Sequence, residues 1–76
     1  MKTFAQIQKE KLHGDFEIIA EAIGQTPRTV KSKVLGDRKD RDNIVQAAFT
    51  ILLEDRAKSK KLIIIKIRRL LDIQNL

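Results

Sequence analysis

The chain has 76 residues, with 16 Lys and Arg against 10 Asp and Glu, a formal net charge of +6 and no cysteine. That length holds one domain with a small core, and the lack of cysteine excludes disulfides and thiolate metal sites. No apolar run approaches the about 20 residues needed to cross a bilayer and no N-terminal signal pattern stands out, so the expectation is a cytoplasmic protein. A basic surplus of this size suits a polyanion, either nucleic acid or an acidic membrane surface.

In chain order, a first helix is predicted from Thr3 to Leu12, with Phe4, Ile7, the stem of Lys11 and Leu12 facing inward. His13-Gly14 ends it, and Asp15 is the expected N-cap of a second helix. Phe16, Ile19, Ala20 and Ile23 then recur at helical spacing. Ala20 is small enough to let another helix cross close above it. Gly24 can take the left-handed conformation that closes this helix. Thr26 is a good N-cap, and Pro27 stands in the helical position where a missing N–H costs nothing. A third helix follows from Pro27 to Leu35, with Val30 and Val34 inward and Gly36 as its stop. Two helices joined this way form a helix-turn-helix, a unit that presents its second helix to a DNA groove.

Asp37-Arg38-Lys39-Asp40-Arg41-Asp42 reads as a solvated loop. A fourth helix is expected from Asn43 to Ala57, with Ile44, Val45, Ala48, Phe49 and Leu52 inward. Nothing before residue 60 alternates with period two, so this part reads as all-α.

The segment Lys60–Leu76 is open to two readings. Leu62-Ile63-Ile64-Ile65-Lys66-Ile67 is rich in β-branched residues and suits a strand. At about 100° per residue, however, Ile63, Ile64, Ile67, Leu70 and Leu71 form one stripe. Leu62, Ile65, Ile73 and Leu76 form a second. A helix with two apolar faces can pack the first on its own core and offer the second, Leu62, Ile65, Ile73 and Leu76, to a second copy as a dimer interface. The favoured expectation is therefore a helical, homodimerising C-terminus. The chain divides into a DNA-binding part, residues 1–57, and this basic, apolar element, residues 58–76.

Ile19, Ala20, Ile23, Gly24, Thr26, Thr29, Val30, Val34 and Gly36 together resemble the phage-repressor (lambda repressor-like, Xre-class) helix-turn-helix family. The resemblance covers roughly residues 4 to 57 and does not reach the C-terminal segment. It implies a compact all-α domain of four to five helices and a prokaryotic or phage, nucleoid-associated transcriptional regulator that binds operators as a dimer. Gln25 stands where the family often has an apolar residue. Lys33 stands where a core residue is usual, which leaves packing to Val34 and Leu35. Phe16 replaces a polar residue that often hydrogen-bonds a phosphate, although the backbone N–H groups there can still serve.

In a helix docked in the major groove, the first two turns reach the bases. The expected base-contacting residues are Arg28, Thr29, Lys31 and Ser32, with Arg28 able to donate two hydrogen bonds to guanine O6 and N7. The alternative is that these are ordinary solvated residues of an exposed helix. Gln25, Thr26, Lys33, Arg38 and Lys39 are the expected phosphate contacts. Arg38, Lys39 and Arg41 have an equally good alternative as a loop salt-bridged to Asp37, Asp40 and Asp42. Lys58, Lys60 and Lys61 read as charges that keep the isoleucine run soluble, with phosphate contact as the other reading.

His13 is alone and reads as part of a helix C-terminus. The aspartates lack the glycine of a calcium loop. Ser32 and Ser59 belong to no recognisable nucleophile motif, so no enzyme, metal or cofactor is expected. The competing functions are a protein-interaction module, an antirepressor or adaptor, that uses the apolar C-terminus, and an amphipathic helix resting on an acidic membrane.

Overall fold

The computed structural model describes residues 1–73. Among them run five helices: α1 (Phe4–Glu10), α2 (Asp15–Ile23), α3 (Pro27–Leu35), α4 (Ile44–Glu54) and α5 (Lys60–Leu70). A tight helical turn over Arg41–Asn43 leads into α4. The described residues are all-α, and the ambiguous C-terminal run is a helix. No helix among them is long and apolar enough to cross a membrane.

Local chemistry sets most boundaries. Thr3 caps α1 through a reciprocal pair of bonds, Gln6 N–H to its hydroxyl (3.2 Å) and its own N–H to the Gln6 side chain (2.8 Å). Gly24 closes α2 at φ 72°, and Thr26 caps α3 by accepting from Thr29 N–H at 3.1 Å. Ser59 caps α5 in the same way, accepting from Leu62 N–H.

Other boundaries depart from expectation. α1 stops at Glu10, before Leu12, which is left exposed. Asp15 is not the N-cap of α2: Gly14 holds that position, and Asp15 is the first helical residue, sealed from solvent. α4 spans Ile44–Glu54 rather than Asn43–Ala57. Its cap comes from further back, where the two Asp40 carboxylate oxygens accept from Val45 and Gln46 N–H at 2.9 Å each.

α2 lies at the centre and packs on α3, α4 and α5, while α1 spans α3 and α4. Ile7, Ile19, Val30, Val34, Val45, Phe49, Leu52 and Ile67 are fully buried where these helices meet. Phe16 meets Phe49 edge to face at 5.9 Å between ring centres. Leu35, expected to help pack α3, is exposed at its end; Val30 and Val34 fill that role.

α5 buries Ile63, Ile64 and Ile67 on α2 and α4. Arg68 ties it down further, donating to the Ala22 and Glu21 carbonyls at 3.1 and 2.8 Å. Leu62 and Ile65 of the second stripe are exposed, and so is Leu70, which was expected inside. Ile73 does not continue the outer stripe: it packs against the core. The helix ends at Leu70, and Asp72 then takes a left-handed φ of 55°. Ile73 N–H thereby reaches back to the Arg68 carbonyl at 2.8 Å, and the helical phase that placed it outside is lost. Leu76, the last residue of that stripe, lies outside the described residues.

Candidate nucleic-acid interface

α3 has one sealed side and one open side. Val30 and Val34 press inward, toward α1, α2 and α4, the helices α3 packs against. Ala20 on α2 is buried, and its lack of bulk suits the close crossing of α2 and α3. α5 makes no contact with α3, so the C-terminal helix leaves its outer side uncovered.

On that outer side Arg28 and Lys31 are exposed. Among the described residues, neither takes part in a side-chain hydrogen bond or an ion pair. Thr29 is half-buried, and its hydroxyl accepts from the Thr26 hydroxyl at 2.9 Å. Ser32 is half-buried, and its carbonyl closes the end of α3 by accepting from the N–H groups of Gly36, Asp37 and Arg38.

The expected phosphate contacts divide into two groups. Gln25 and Lys33 are bonded to each other, the Lys33 ammonium donating to the Gln25 side-chain oxygen at 2.9 Å. The Lys33 stem lies half-buried and its charge meets the turn. Thr26 is exposed, with its hydroxyl engaged in the cap. Arg38 and Lys39 stand in solvent beyond α3, and Arg41 follows them. None of the three pairs with Asp37, Asp40 or Asp42. Asp40 is occupied with the N–H groups of α4.

Two residues not foreseen as contacts complete this face. Lys11 and His13 line a groove of about 310 Å³ together with Phe16, Glu17, Arg28 and Lys31. The Lys11 ammonium lies 5.0 Å above the centre of the Phe16 ring, a cation–π geometry that holds the charge at the rim. Phe16 thereby holds a cation beside the start of α2. The sequence signal is the His13-Gly14 reversal, which folds Lys11 back over the start of α2. Glu17 is the one acid in the groove.

No family model, curated protein or solved structure matches the chain.

Proposed function

We propose that the protein is a sequence-specific double-stranded DNA-binding transcriptional regulator, a repressor, that inserts α3 into the major groove. One observation carries the reading: α3 is buttressed from behind by apolar residues and displays Arg28 and Lys31 without side-chain partners among the described residues. An unpaired guanidinium on the first turn of such a helix can form the forked contact that distinguishes guanine. In this proposal Arg28 and Lys31 carry most of the discrimination. Thr29 and Ser32, lower on the same helix, add side contacts to bases. Thr26, Arg38 and Lys39 hold the backbone, while Gln25 and Lys33 shape the turn and lend it charge. The protein acts as a homodimer on two half-sites, with the exposed Leu62 and Ile65 of α5 at the twofold axis. The resemblance to the phage-repressor family supports the same assignment.

Binding of duplex DNA by the intact chain and by the Arg28→Ala/Lys31→Ala double variant tests it. Strong loss in the variant is expected; equal binding by both overturns the roles given to these residues.

The exposed Leu62, Ile65 and Leu70 also favour a second reading, an antirepressor or adaptor that captures a partner on α5. Salt separates the two. DNA affinity collapses as ions compete for phosphate, whereas capture by an apolar face hardly changes.

A further inference from the structure

We propose that Lys60 and Lys61, at the start of α5, form a second contact to the DNA backbone, on the other side of α2 from α3. This inference rests on the docking of α3 proposed above and assigns these lysines a role within it.

Residues 58–70 hold six bases and no acid. Half of those bases are already engaged. Lys58 and Lys66 pair with Asp55, and Arg68 is bound to backbone carbonyls of α2. Lys61 has no ion-pair partner among the described residues. Lys60 reaches Glu21 at 3.5 Å, with both side chains more than half exposed, at 56% and 57%. An exposed pair of this kind is worth about 0–1 kcal/mol and yields readily to a stronger anion.

The placement of these lysines relates them to α3. Lys60, Lys61 and Arg68 line a groove of about 430 Å³ with Glu21. Arg28 and Lys31 line the other groove with Glu17. Glu17 and Glu21 are one helical turn apart, both on the exposed line of α2. α3 and α5 both pack on α2 without touching each other, so the two basic groups stand on either side of its exposed line, across a helix whose diameter with side chains is about 10–12 Å. The major groove is about 12 Å wide. With α3 among the base edges, a cationic group one helix-width away falls at the strand that borders the groove. Glu21 holds Lys60 until a phosphate replaces it.

The test is the salt dependence of binding to a mixed-sequence duplex of about two helical turns. It compares the intact chain with Lys60→Ala/Lys61→Ala, Glu21→Gln and Arg28→Ala. The double lysine variant should lower the slope of log affinity against log salt by about 1 for each phosphate lost. Glu21→Gln frees Lys60 and should tighten binding about two- to fivefold. An unchanged slope in the lysine variant, with Arg28→Ala still weakening binding, overturns this inference and leaves the α3 reading standing. No binding by the intact chain even at low salt overturns both.

Discussion

Arg56 grips Asp15 through both terminal guanidinium nitrogens, at 2.8 and 2.7 Å, across 41 positions of sequence. Asp15 also accepts from Leu12 N–H at 2.7 Å, so one buried carboxylate fixes the α1–α2 turn and the exit of α4 together. Removing one partner of a fully buried pair costs about 3–5 kcal/mol. Arg56 is itself 35% exposed, so water relieves part of that, and Arg56→Ala should cost about 2–3 kcal/mol in urea unfolding.

The same pair makes stability depend on acidity. Burial pushes the Asp15 carboxyl up, but the Arg56 hydrogen bonds and charge, the Leu12 N–H and nearby Lys11 outweigh it. The net position is below the ordinary value of 3.8. The folded carboxyl therefore binds its proton less readily than the unfolded one. Its contribution is complete above the unfolded value and is lost as pH falls through the lowered folded value. Thermal melts should show Asp15→Asn losing less stability than the parent across that window. Asp55, lowered mainly by its hydrogen bond from Lys66, leaves the variant a residual slope of the same sign.

The two faces of α5 should respond differently to truncation. Ile67 is fully buried on α2 and α4, and Ile67→Ala should cost about 2–5 kcal/mol. Ile65 is 42% exposed in the single chain, and Ile65→Ala should cost less than about 1 kcal/mol at protein concentrations low enough to keep the chain monomeric. Chemical denaturation of the two variants checks the contrast.

If the outer side of α5 joins two copies, sedimentation should show a concentration-dependent dimer. Ile65→Glu should render it monomeric without changing its helical content. An intact chain that stays monomeric at high concentration contradicts the dimer.

Thr26→Ala should lower stability by about 1 kcal/mol, since its hydroxyl is the partner of an otherwise orphaned N–H at the start of α3. Differential scanning calorimetry reads the shift.

What the sequence revealed of this fold was local. Gly24, Thr26, Pro27 and Gly36 each act on their own or neighbouring backbone, so both ends of α3 could be read residue by residue. Asp15 could not: its local offset suggests a cap, whereas its role is set by an arginine distant in the chain. Asp40 was hidden for a related reason, since it caps α4 from beyond an irregular turn. Ile73 failed on phase, because helical periodicity carried past Leu70 misses the left-handed step at Asp72. For the candidate site, Arg28 and Lys31 were legible from the third helix alone. Lys11 and His13 required knowledge of how the α1–α2 turn folds back beside α3.

The most direct test of α3 as a reader of bases is selection of bound sequences from random duplex DNA, at fixed salt. It would be run with the intact chain, Arg28→Ala and Lys39→Ala. The intact chain should enrich a defined sequence. Arg28→Ala should relax the preference at one base pair, at a cost of about 1–3 kcal/mol, whereas Lys39→Ala weakens all sequences alike. Enrichment of no sequence by the intact chain, or an identical preference after Arg28→Ala, would contradict the account.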